Sequence, residues 1–176
     1  MKKVILYIGM SLDGFIADKD MEVNWMNGDG SDIQEIGSYD QFIKNIDTVI
    51  MGYTTYYQIV NQLAKDNWPY KGMITYVLTH KHLLNQDEII FTDEKIITII
   101  QRLKKRSGKN IWICGGANIV NQLIELNLID EYHITIIPTI LGAGVRLFKD
   151  NNSEIKLKLV KKDCYNGMVE ICYQKR

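Results

Sequence analysis

Proline is scarce in this chain, with two residues in 176, and cysteine is little better represented, with three. Cys114, Cys164 and Cys172 form an odd, scattered set. No pair has zinc-knuckle spacing and no disulfide framework emerges, so a reduced, cytoplasmic protein without a resident metal is expected. Net charge is missing as well: 21 basic residues stand against 21 acidic ones. Such a chain has no net field to draw in a nucleic acid or an acidic membrane, and any phosphate must be held locally by a few placed groups. Long apolar runs are also absent, none approaching the ~20 residues that span a bilayer. The opening Val4-Ile5-Leu6-Tyr7-Ile8 looks briefly like a signal peptide. Gly9, Ser11, Asp13 and Gly14 interrupt it, and no small-residue cleavage site follows a long enough core.

What is present is an ordinary globular composition, 46% apolar, at a length expected to form one domain over residues 1–176. There is no low-complexity linker and no internal repeat. Short apolar runs read as buried strands at Val4–Ile8, Thr48–Met51, Ile74–Thr79, Ile111–Cys114 and Tyr132–Ile137. Between them, apolar residues recur at helical spacing. Phe42, Ile43 and Ile46 suggest one helical face, and Tyr56, Ile59, Val60 and Leu63 another. Ile96, Ile99, Ile100 and Leu103 give a third, which Thr92-Asp93 can cap and Lys104-Lys105-Arg106 closes at the negative end of the dipole. Ile119, Val120, Leu123, Ile124 and Leu126 give a fourth. The tail alternates at Ile155–Val160 and again at Met168–Tyr173, with Tyr165-Asn166-Gly167 as a turn signal, so a hairpin is expected. The plan is α/β, mostly parallel, with an antiparallel C-terminal edge.

Three of these strands run into small or polar residues: Met51-Gly52-Tyr53-Thr54-Thr55, Leu78-Thr79-His80-Lys81 and Cys114-Gly115-Gly116-Ala117-Asn118. In an open parallel sheet, ligands bind outside the carboxyl ends of the strands. Helix starts offer free N–H groups there, and glycine admits a phosphate close to the backbone. Taken singly, Gly115-Gly116 also reads as a tight turn, Gly52 with Thr54 and Thr55 as an ordinary cap, and His80-Lys81-His82 as a solvated loop. The three-glycine fingerprint of the usual dinucleotide fold does not follow the first strand.

Together the segments resemble a known family. Ser11-Leu12-Asp13-Gly14-Phe15-Ile16-Ala17, Met51-Gly52-Tyr53-Thr54-Thr55-Tyr56 and Ile113-Cys114-Gly115-Gly116-Ala117-Asn118 are similar to the three motifs of the dihydrofolate reductase-like superfamily. Leu128-Ile129-Asp130-Glu131-Tyr132, then Pro138-Thr139-Ile140-Leu141-Gly142-Ala143-Gly144 and Leu147-Phe148, resemble the C-terminal reductase domain of the bifunctional riboflavin-biosynthesis deaminase-reductases and their stand-alone bacterial relatives. The resemblance implies a three-layer fold around a mixed, mostly parallel sheet of about eight strands. It implies NADPH as hydride donor, a small heterocyclic substrate and a homodimer. By motif position, Gly9, Ile16 and Ala17 would lie near the nicotinamide. Gly52, Tyr53, Thr54 and Thr55 would meet the phosphates, and Thr79, His80 and Lys81 the adenosine 2′-phosphate. Gly115, Gly116, Ala117, Asn118 and Ile119 would cradle the pyrophosphate.

The chain departs from the family on the substrate side. Tyr53 stands where an Arg often helps bind the 2′-phosphate, Phe15 where Lys usually follows Asp-Gly, and Cys114 where Glu usually precedes Gly-Gly. A dihydrofolate reductase-like activity would need one carboxylate a few residues after a loop tryptophan. Trp25 resembles that tryptophan, with Asp29, Asp32 and Glu35 in range. Asp32, at the expected start of a helical segment, is the preferred acid and could equally be a cap. Asp13 is the second candidate acid, or fixes the turn with Gly14. Trp25 either covers the nicotinamide or packs its loop on the core. The nearest activity by resemblance is 5-amino-6-(5-phosphoribosylamino)uracil reductase, with dihydrofolate reductase-like reduction next. A non-catalytic nucleotide-binding protein is the reading from another class.

Overall fold

The computed structural model describes residues 1–32, 37–150 and 152–176. Its centre is an eight-stranded sheet. In chain order its strands are β1 (Val4–Ser11), β3 (Ile46–Gly52), β4 (Ile74–Leu78), β5 (Ile89–Thr92), β6 (Asn110–Gly115), β7 (Glu131–Ile137), β9 (Leu157–Tyr165) and β10 (Met168–Lys175). They lie side by side as β5-β4-β3-β6-β1-β7-β10-β9. The first six of that order run parallel, and the last two form the antiparallel hairpin edge. A second, two-stranded antiparallel ribbon joins β2 (Phe15–Ala17) to β8 (Val145–Arg146).

The period-two pattern divides each strand between two cores. Val4 and Leu6 of β1 and Ile111 and Ile113 of β6 face helices α3 (Ile96–Lys104) and α4 (Ala117–Glu125). Ile5 and Trp112 face the other way, toward α1 (Tyr39–Ile43) and α2 (Tyr53–Gln58), which continues as a π-helical turn over Ile59–Leu63. Both α3 and α4 bury residues at the expected spacing, except that Leu126 follows the end of α4 and is exposed. Burying each large aliphatic side chain stabilises the fold by roughly 1.5–3 kcal/mol before entropy is charged against it.

Some expectations need correction. Ile46 belongs to β3, not to the face of α1, which ends at Ile43. Thr92 closes β5, whose short apolar run Ile89-Ile90-Phe91 is not among the expected strands. The α3 cap position is Lys95, while Thr92 Oγ1 accepts from the Glu94 N–H at 3.1 Å. Asp32 is exposed, its N–H pointing at Asn166 Oδ1 from 3.4 Å, and the helical segment expected to start there runs into residues 33–36, outside the described ones. Glu35 lies outside the described residues. The C-terminal turn is as expected, with Asn166 and Gly167 both at positive φ, 46° and 72°, as a tight hairpin turn demands.

Candidate functional site

A cleft of about 1000 Å³ opens at the carboxyl ends of β1, β3, β4, β5 and β6. It gathers the three glycine and threonine segments although they are far apart in sequence. Gly52 begins α2 and Gly116 begins α4, both with extended backbone and without a side-chain capping bond. The first N–H groups of a helix have no partner inside it, so two such starts face one space. Thr55 joins them: its hydroxyl is 3.5 Å from where a Cβ on Gly116 would stand.

The glycines themselves carry information. Gly115, at φ +128°, needs glycine for its backbone. Gly52 does not, with φ of −81°; Gly116, at φ −84°, follows Gly115 through a cis peptide bond. A Cβ on Gly52 would meet nothing nearer than Ile119 Cγ1 at 3.7 Å, an ordinary contact. At Gly52, then, neither packing nor backbone requires glycine. What a side chain there would fill is the cleft, and the residues present fit a group that comes close to the backbone.

The cleft walls differ from one side to the other. Thr79, His80 and Lys81 follow β4, and Asp93, Glu94 and Lys95 follow β5. Glu94 is already paired with Arg102 at 2.6 Å. Lys81 sits over the ring of Tyr53. Near β1 and β6 the lining is aromatic, with Tyr7, Tyr39, Tyr70 and Trp112. Cys114 lies among them, its sulfur 3.6 Å from the Tyr70 hydroxyl. Burial pushes the Cys114 thiol up to about 11, the Tyr70 contact offsetting this only in part. Burial likewise raises Tyr7, Tyr39 and Tyr70. This side is thus lined by neutral hydroxyls and a neutral thiol at ordinary pH.

All fifteen residues expected to meet a cofactor fall in or beside the cleft. Gly9, Ile16, Ala17, Gly52, Tyr53, Thr54, Thr55, Thr79, His80, Lys81, Gly116, Ala117, Asn118 and Ile119 line it, and Gly115 lies in the strand end behind. The four proposed for substrate and acid do not line it. Phe15 is buried in β2 under the Arg146 guanidinium, 4.7 Å from its ring. Trp25 donates from Nε1 to the Glu22 carbonyl at 3.1 Å and packs its loop, while Met21, Val23 and Met26 reach the cleft. Asp32 is exposed elsewhere. Asp13 accepts from Ser11 Oγ at 2.6 Å and from the N–H groups of Leu141 and Gly142 at 3.1 and 2.7 Å, which makes it a fastener of two loops.

The buried carboxylate that the sequence reading missed is Glu170, 4% exposed on β10. It accepts from Tyr7 Oη at 3.2 Å and from Ser38 Oγ, and Tyr7 in turn lines the cleft. Its signal was there in the alternation of the last strand, where Glu170 occupies an inward position beside Cys172.

Comparison with known proteins agrees with this geometry. Residues 2–169 match the RibD C-terminal domain family. YwjB of Bacillus subtilis (strain 168), a protein of uncharacterised activity, is 36% identical over 176 residues, with 98% of this chain and 97% of YwjB covered. The riboflavin biosynthesis protein RibD of Haemophilus influenzae is 38% identical over 61 residues, 34% of this chain and 16% of RibD. Among solved structures, a Shewanella sp. PV-4 protein assigned provisionally to riboflavin biosynthesis superposes with a TM-score of 0.86 at 26% identity, over 99% of both chains. The Thermotoga maritima diaminohydroxyphosphoribosylaminopyrimidine deaminase/5-amino-6-(5-phosphoribosylamino)uracil reductase has a TM-score of 0.74 at 16% identity; this chain spans 57% of it, and the likeness is one of fold. Strand order, cleft position and a match over nearly the full length lead to one conclusion: the chain belongs to the RibD C-terminal domain family.

Proposed function

We propose that the chain is an NADPH-dependent reductase acting on a pterin- or pyrimidine-like heterocycle, with 5-amino-6-(5-phosphoribosylamino)uracil reduction the nearest activity by resemblance. The observation that carries this reading is Gly52, placed where an incoming ligand gives the reason for having no side chain, with Gly116 opening a second helix onto the same cleft. NADPH would supply the hydride; the protein's part is placement and exclusion. The starts of α2 and α4 with Thr55 would hold phosphates, and Lys81 would meet the 2′-phosphate. Tyr39, Tyr70 and Trp112 would stack against a flat heterocycle and keep water from it. Tyr7, backed by buried Glu170, is the group through which a proton would reach the substrate. The neutral wall around Cys114 favours an uncharged ring over a phosphorylated one at that end, so a substrate other than the riboflavin intermediate suits this chain equally well. Assembly as a homodimer belongs to the same reading.

The test uses Gly52→Ala. The fold accepts it, since its nearest contact stays at 3.7 Å. The melting temperature should hold while NADPH affinity, read by fluorescence titration, falls at least tenfold. Unchanged affinity would overturn the reading. Wild-type protein should also oxidise NADPH with one member of a panel of aminopyrimidines, pterins and dihydrofolate. Tight NADPH binding without turnover on any of them would favour the non-catalytic alternative.

A further inference from the structure

A second cluster of chemistry lies outside the cleft, on the seam between β7 and β10. Glu131 and His133 are two apart on β7 and so share a face of the sheet. The antiparallel register sets Cys172 opposite His133, and Gln174 opposite Glu131. Glu131 Oε2 comes within 3.1 Å of His133 Nε2, and Cys172 Sγ within 3.2 Å of the same nitrogen. All three ligand-type atoms lie within 4.8 Å of one another.

That both partners meet one ring nitrogen decides what the cluster can be. In a nucleophilic relay the acid holds the imidazole by Nδ1 while Nε2 serves the nucleophile. Here the carboxylate and the sulfur crowd Nε2 together, so a cysteine–histidine–acid relay is excluded. An imidazole Nε2 carries one proton or one lone pair and can serve only one partner well. A cation between the three atoms serves all of them. Zinc bonds of about 2.0–2.1 Å to N and O and about 2.3 Å to S imply tetrahedral edges of roughly 3.3–3.6 Å. The two measured separations are within ~0.4 Å of those edges.

The surroundings support such an ion. Glu131 Oε1 accepts from Lys3 Nζ at 2.6 Å and from Gln174 Nε2 at 2.9 Å, which fixes the carboxylate and leaves Oε2 for the ion. The cluster lines a second cavity of about 370 Å³, large enough for an ion to enter and for water to complete the coordination. Thiolate with imidazole selects a soft divalent metal over magnesium or calcium. We propose that Glu131, His133 and Cys172 form a binding site for one zinc-class divalent cation, with an open fourth position facing that cavity. Strand register assembles it, so no short sequence spacing announces it. It is independent of the reductase reading, and its test uses neither cofactor nor turnover.

Full-length protein, reduced and stripped with chelator, is titrated with Co²⁺ as the spectroscopic probe. One equivalent is expected to bring up thiolate-to-cobalt charge-transfer absorption, which Zn²⁺ then bleaches by displacement. Cys172→Ser should abolish the band, and His133→Gln should weaken binding at least tenfold, whereas Cys114→Ser and Cys164→Ser should keep it. Melting temperatures without metal check that each variant folds. Should Cys172→Ser fail to fold, Glu131→Gln provides the second reading, with at least tenfold weaker Co²⁺ binding expected. No band at stoichiometric Co²⁺, a band that survives Cys172→Ser, or unchanged affinity in Glu131→Gln would each overturn the proposal.

Discussion

Lys81 and Tyr53 meet beside the cleft, the Lys81 ammonium 4.0 Å from the centre of the Tyr53 ring. The position that often carries Arg in relatives is Tyr53 here, and a lysine from the next strand end has come to rest over it. On the proposed function, the positive charge for the 2′-phosphate would come from the end of β4 rather than from α2. The ring contact contributes about 0.5–1 kcal/mol at an exposed site. A charged hydrogen bond to a phosphate contributes about 1.5–3 kcal/mol. Lys81→Ala should therefore cost roughly tenfold or more in NADPH affinity and leave NADH affinity within about twofold. Equal losses for both cofactors would show that Lys81 does not meet the 2′-phosphate.

Tyr7 bridges the cleft and the buried Glu170 carboxylate. Tyr7→Phe removes the bridging hydroxyl and keeps the ring stacked on Phe42, 4.3 Å away. Turnover should fall about 100-fold, the usual scale of a lost proton path, with NADPH affinity unchanged. Glu170→Gln, which keeps shape and removes the negative charge behind the Tyr7 hydroxyl, should lower turnover with NADPH affinity unchanged. Turnover by Tyr7→Phe within twofold of wild type would remove Tyr7 from the mechanism.

Cys114 should be chemically quiet. With its thiol held near 11, little thiolate exists at neutral pH, and thiolate is the reactive form. Iodoacetamide at pH 7, followed by peptide mass spectrometry, should label exposed Cys164 and spare Cys114. Cys114→Ser should keep turnover within about twofold. Rapid labelling of Cys114 with loss of turnover would reverse this assignment.

Asp13 makes a pH prediction whose sign is fixed. The Ser11 hydroxyl and the N–H groups of Leu141 and Gly142 lower it from 3.8 to about 2. A carboxylate lowered by folding stabilises the protein above its unfolded value, and that contribution is lost as pH falls from about 3.8 through about 2. Asp13→Asn should lower the melting temperature at pH 7, with the gap to wild type closing toward pH 2. A gap that persists at pH 2 would mean that the asparagine disturbs packing instead.

The parallel core was legible because its strands are short apolar runs and its helices α3 and α4 show one apolar stripe each. The side of the cleft proposed for a cofactor was legible for a related reason: strand ends and helix starts are local, and Gly52, Thr55 and Gly116 stand in continuous segments. The short strands β2, β5 and β8 were not, since Phe15–Ala17, Ile89–Thr92 and Val145–Arg146 are too brief for periodicity to speak. The acid was sought near Trp25, where sequence order suggested it. Glu170 reaches Tyr7 instead across 163 residues, a juxtaposition created by sheet order alone.

The place of β1 in the sheet also sets the order in which the molecule can be completed. Its neighbours are β6 and β7, so Val4 waits for Ile111 and Leu6 for Tyr132, across roughly a hundred residues of chain. The fastening of Asp13 to Gly142 spans 129. During synthesis the earliest strand must stay unpaired while most of the protein is made, and its apolar side chains are then open to wrong partners or to a chaperone. The first strand of this sheet to be made is among the last to find its place.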